Sequence, residues 1–152
     1  MTEKWLYMVL ITIYLAVVGI NLFVSLKFPD ITIKAVHFTA SFILFVIVLI
    51  GVTKSLRYLK GILLVGAVSS IFVAFTHLFN DFLLNHWILD MIAGLQYPLY
   101  ILFITPLFGV NIFIKGLSGT FALYCIVIFI SLYVLAKIVT WRTKAKLIES
   151  NL

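Results

Sequence analysis

Charge is scarce in this chain. Of 152 residues only 11% are charged, and the acids number five: Glu3, Asp30, Asp81, Asp90 and Glu149. Ordinary soluble domains carry about 25% charged residues. Cysteine is scarcer still. Cys125 stands alone, so an intramolecular disulfide is impossible and no Cys-x-x-Cys pair exists for thiol redox chemistry or zinc. No Gly-x-Ser-x-Gly elbow, phosphate-binding loop or His-Glu-x-x-His helix occurs. Arg57 and Arg142 are the only arginines, too few for an arginine cluster or a voltage-sensing row.

What fills the chain is hydrocarbon. Hydrophobic residues make up 64%, and a globule of this size has too little interior to hide them from water. A soluble enzyme and a disordered chain are excluded, and an all-α membrane protein is implied. The net charge of +6 would suggest nucleic acid as a partner in a soluble protein. Here the bases flank apolar runs, where Lys and Arg meet lipid headgroups, so the bilayer is the expected partner and nucleic acid is not.

Charges divide the chain into spans of about the 20 residues that a membrane helix requires. They are predicted at about 5–26, 35–53, 61–80, 91–114 and 117–136, with a basic tail at 137–152, all in one polytopic domain. The first apolar run is too long for the core of a signal peptide and reads as a retained helix. Barrel strands would alternate apolar and polar residues, whereas these runs are continuous. Short connections predict an antiparallel bundle of about five transmembrane helices. The stretch from Asn80 to Asp90 is too apolar for a free loop and too polar for a span. It predicts a short interfacial or re-entrant helix near Phe82–Leu89. Pro98 and Pro106 should kink the fourth span.

Five spans leave orientation undecided. The N-terminal side then holds Lys4, Lys54, Arg57, Lys60 and Lys115. The opposite side holds Lys27, Lys34, Lys137, Arg142, Lys144 and Lys146. A sixth crossing at Asp81–Tyr97 would shift this balance to eight against three. It would also place Asp81, His86 and Asp90 inside a span, at about 2.5–3.5 kcal/mol for a charge at the helix centre.

On the five-span scheme the rare polar residues gather opposite the N-terminus. They are Asn21, Ser25, Asp30, His37, Thr39, Ser41, His77, Asn80, Asp81, Asn85, His86, Asp90, Gln96, Tyr97 and Tyr100. Gly66, Ser70, Ala74, His77 and Asp81 follow at helical spacing, a stripe of small residues that suits close helix packing and should carry His77 and Asp81 inward. Thr12, Ala16 and Gly19 form a similar stripe on the first span. His77 with Asp81, and His86 with Asp90, are i,i+4 pairs in which a carboxylate can fix an imidazole tautomer.

Two function classes follow. One is a non-catalytic subunit, accessory factor or small-ligand binder of the cell membrane. It would work by helix packing through Gly66, Ser70 and Ala74, with a membrane-protein partner or a second copy of the chain. The other is a metal- or haem-binding redox or proton-handling protein using His37, His77, Asp81, His86 and Asp90, with His37 and His77 at matching depth for haem. No complete catalytic constellation is present, which favours the first. Residue usage rich in Ile, Phe, Leu and Lys points to a bacterial cytoplasmic membrane.

Overall fold

The structure, a computed structural model, describes residues 3–84 and 87–149, without the side chains of 81, 84, 87, 88, 144 and 146–149. Among the described residues there are helices and no strands. Helix α1 spans Glu3–Lys27, α2 Ala35–Thr53 and α3 Leu59–Leu78. Two short helices follow, α4 at Asn80–Leu84 and α5 at Trp87–Ala93. They stand where the sequence predicted one short helix; Asn85 and His86 between them lie outside the described residues. Helix α6 at Gln96–Leu99 runs into a π-turn at Tyr100–Ile104 and a 3₁₀ turn at Thr105–Val110, closed by α7 at Asn111–Ile114. The last helix, α8, is Ser118–Glu149, so the basic tail continues the fifth apolar helix through Glu149.

Among the described residues five segments are long and apolar enough to cross a membrane: Glu3–Lys27, Ala35–Thr53, Leu59–Leu78, Leu89–Ile114 and Ser118–Thr143. The boundaries follow the charges, because Lys27, Lys34 and Lys54 sit where the helices stop or start. The outward faces are apolar, with Met8, Leu15, Phe23, Val68 and Val127 all exposed.

Helices α3 and α8 pack side by side in opposite directions. Ser55, just before α3, hydrogen-bonds Thr140 at 3.0 Å. Midway, Gly66 lies against Phe129, whose ring would be 2.7 Å from an added Cβ. At the far end Gly119 lies against His77. The stripe of Gly66, Ser70 and Ala74 is therefore buried within the chain, with Gly66 packed against α8. The stripe of Thr12, Ala16 and Gly19 is exposed.

The fourth apolar segment folds back on itself, and its neighbours along α1 record the path. Tyr100 donates its hydroxyl proton to the carbonyl of Ser25. Leu102 accepts from the Tyr14 hydroxyl, about three helical turns further into the bundle. Pro106 is then back at Asn21, and the Phe108 ring packs edge-on against Phe28 at 5.7 Å. The break sits at Pro106 and not at Pro98. Pro98 falls in the first turn of α6, where its missing N–H has no intrahelical partner to lose. Pro106 cannot donate to the carbonyl of Leu102, and Tyr14 supplies that proton instead. Asn111 closes the return, accepting from the Gly116 N–H at 2.9 Å and donating to the Gly116 carbonyl at 2.7 Å. Both ends of the segment thus lie at the Lys27 end of the bundle, and Lys115 lines a small cavity with Phe28, Pro29 and Thr32 of the first loop. The five-span scheme had placed Lys115 and Ser118 at the opposite end.

Gly109 marks the tightest approach. A Cβ there would overlap the His37 carbonyl, which is main chain and cannot swing away. Gly19 has nothing within 4 Å. Gly109→Ala should lower stability in detergent by about 1–3 kcal/mol through overpacking. Gly19→Ala should leave it unchanged or raise it by up to about 1 kcal/mol through helix propensity. Thermal unfolding of both variants checks this; equal midpoints would refute the close approach.

Candidate functional site

The returning segment is held by a buried polar node. The Ser41 hydroxyl donates to the Pro106 carbonyl at 2.8 Å, and accepts from the Gly109 N–H at 3.1 Å and from Asn21 Nδ2 at 2.9 Å. Asn21 Nδ2 also reaches the Pro106 carbonyl at 3.3 Å. Both partners of that nitrogen are acceptors, which fixes the amide orientation. Asn21 Oδ1 is the one buried side-chain polar atom left without a partner among the described residues. Ser25 joins the node toward the bundle end, with its hydroxyl 3.1 Å from that of Thr105. Asn21, Ser25, Ser41 and Thr105 are all 2% exposed or less, so these bonds replace water that cannot reach the broken backbone.

Above the node lies a cavity of about 510 Å³. Its polar lining is Ser25, His77, Asn80, Gln96, Tyr97 and Tyr100, with Ser118 from the start of α8. Leu26, Val73 and Gly119 complete the wall. Four parts of the chain converge: the ends of α1 and α3, the descending arm Gln96–Ile104 and the beginning of α8. Gln96 is oriented by Thr76, whose hydroxyl donates to Gln96 Oε1 at 2.8 Å. That leaves the Gln96 amide protons for another acceptor. Tyr100 spends its proton on Ser25 and retains its oxygen lone pairs.

Of the five residues predicted as metal ligands, the structure describes the side chains of His37, His77 and Asp90. His37 is buried, and its Nδ1 accepts the Lys34 N–H at 2.9 Å, so the ring helps to start α2. His77 remains solvent-accessible, and its ring faces the cavity and lies beside Gly119 of α8, the protein side that the stripe predicted. Asp90 is exposed on α5. Asp81 belongs to α4 with its side chain outside the described residues, and His86 lies outside them altogether. Among the described residues no three of His, Cys, Asp and Glu come together as a metal-binding group.

Sequence reasoning had gathered Ser25, His77, Asn80, Gln96, Tyr97 and Tyr100 at one end, and the cavity contains all six. It missed Ser118, Gly119 and Thr105. The available signal was the group Pro106, Gly109, Asn111 and Gly116 in one apolar run, which fits a turn better than a straight crossing. Compared with protein families, with characterised proteins and with solved structures, the chain matches none.

The two described histidines differ in access. Diethyl pyrocarbonate should modify His77 much faster than His37 in the detergent-solubilised protein, as read by peptide mass spectrometry. Equal rates would contradict the buried, hydrogen-bonded imidazole of His37.

Proposed function

We propose that the chain is a non-catalytic multi-pass membrane protein that binds a small, uncharged polar molecule in the cavity between α1, α3, the fourth segment and α8. The observation that carries this reading is the cavity lining. Among the described residues it offers two side-chain amides, hydroxyls, two tyrosine rings and one imidazole, with no carboxylate or fixed cation. Such a wall suits a ligand bearing hydroxyl or amide groups, since an ionic ligand would be desolvated without an opposite charge to meet it. The volume falls within the roughly 300–1,000 Å³ range of small-molecule sites. Leu26, Val73 and the tyrosine rings provide the apolar contact that such sites combine with a few placed polar groups.

The setting is a membrane, which residue usage rich in Ile, Phe, Leu and Lys makes one of bacterial type; the membrane itself has structural support. Five long apolar helical segments, apolar outward faces and Lys or Arg at the helix ends support it. The lipid bilayer is the partner these faces fit.

The test is a thermal-shift screen of purified protein against neutral polyols, sugars and amides, beside carboxylates and quaternary ammonium compounds. Neutral polar compounds should stabilise the protein and the charged classes should not. Gln96→Leu should weaken binding of the best compound about tenfold, the equivalent of one hydrogen bond of about 1.4 kcal/mol. Stabilisation by ionic compounds alone, or full affinity in Gln96→Leu, would overturn the reading.

A further inference from the structure

We infer that the fourth apolar segment is a re-entrant hairpin, so that the chain crosses the bilayer four times and turns one strongly cationic end toward the anionic lipid headgroups of the cytoplasmic leaflet. The inference rests on the membrane reading above and adds its topology and sidedness.

Length is the first argument. The descending arm, Gln96–Ile104, has nine residues. At 1.5 Å per residue it rises about 13 Å, less than half of a hydrocarbon core about 30 Å thick. The second argument is the order of neighbours. Thr76, near the end of α3, holds Gln96, and Tyr14, near the middle of α1, holds Leu102. Ser41, in the second turn of α2, then takes both Pro106 and Gly109. The segment descends to mid-bundle and climbs back to the end it left. The third argument is satisfaction of the backbone. Irregular main chain is tolerated at membrane depth only where protein encloses it, and Ile104, Thr105, Pro106, Leu107, Phe108 and Gly109 are all buried.

A hairpin changes the parity of the chain. Helix α8 starts at the His77 end and passes Ser55 at Thr140 before running on to Glu149. Lys137, Arg142, Lys144 and Lys146 therefore join Lys4, Lys54, Arg57 and Lys60 at one end. The other end keeps Lys27, Lys34 and Lys115. Eight of the eleven cations share a side with only two acids, Glu3 and Glu149, while Asp30, Asp81 and Asp90 offset the three cations opposite. All of the net charge of +6 sits at one end. Lys and Arg accumulate on the cytoplasmic side of membrane proteins, where anionic lipids hold them. The ligand cavity, at the His77 end, then faces away from the cytoplasm.

Cys125 is fully buried, so the native protein gives little background with a membrane-impermeant maleimide. Cysteine is introduced singly by Asp30→Cys, Lys115→Cys, Arg57→Cys and Arg142→Cys, all at exposed positions. Leu117→Cys, also exposed, replaces Lys115→Cys if that variant does not accumulate. In intact bacterial cells the Asp30 and Lys115 variants should be labelled. The Arg57 and Arg142 variants should be labelled only after permeabilisation. Lys115→Cys behaving like Arg57→Cys would overturn the hairpin. The two pairs exchanging sides would overturn the cytoplasmic placement of the cationic end. Release of the native chain from membranes by alkaline carbonate would instead sink the membrane reading itself.

Discussion

The node of Asn21, Ser41 and Pro106 is the constraint on which the rest of the structure depends. A chain this apolar can place irregular backbone in its interior only if every freed carbonyl and N–H finds a partner. Pro106 removes a donor, and the turns around it free several acceptors. One serine hydroxyl, one asparagine amide and the Tyr14 hydroxyl meet that need from two neighbouring helices. Each such bond in a membrane interior contributes modestly, about 0.6 kcal/mol on average. Leaving the groups unpaired costs about 1–3 kcal/mol apiece, so the node matters for what it prevents.

Once the hairpin is held, the cavity and the charge distribution follow from the same geometry. The return at Asn111–Gly116 delivers the start of α8 to the His77 end, where Gly119 lets the imidazole lie close. Ser118 thereby becomes part of a wall that otherwise comes from α1, α3 and the descending arm. The contact of α8 with Gly66 then runs the length of α3 and brings the basic end of the chain beside the loop that carries Arg57. A glycine-lined helix pair that could have served a partner is thus used within the chain.

Much of this was legible in the residues. The first four spans fell within a few positions of the observed apolar segments, because lysines punctuate runs whose hydropathy leaves no other reading, whereas the fifth helix runs on through the basic tail to Glu149. The cluster of Ser25, His77, Asn80, Gln96, Tyr97 and Tyr100 was also readable, since few polar residues exist to be placed. The path of the fourth segment was not legible from length and apolarity, which are the same for a crossing and for a hairpin. The even split of cations under five crossings was an indirect sign of the problem, and moving the basic tail across the bundle removes it. The role of His37 was equally local: an imidazole three residues after Lys34 can take its N–H at Nδ1 and help to start α2.

Composition by itself determined the solvent-facing character of the chain, its helical class and the number of apolar segments. These depend on hydrocarbon content and on backbone hydrogen bonds within each segment. Tertiary structure decided which segment turns back, which residues close the cavity and which end collects the cations. Those outcomes depend on pairings between residues far apart in the chain, Asn21 with Ser41 and Pro106 above all, and no local pattern specifies them.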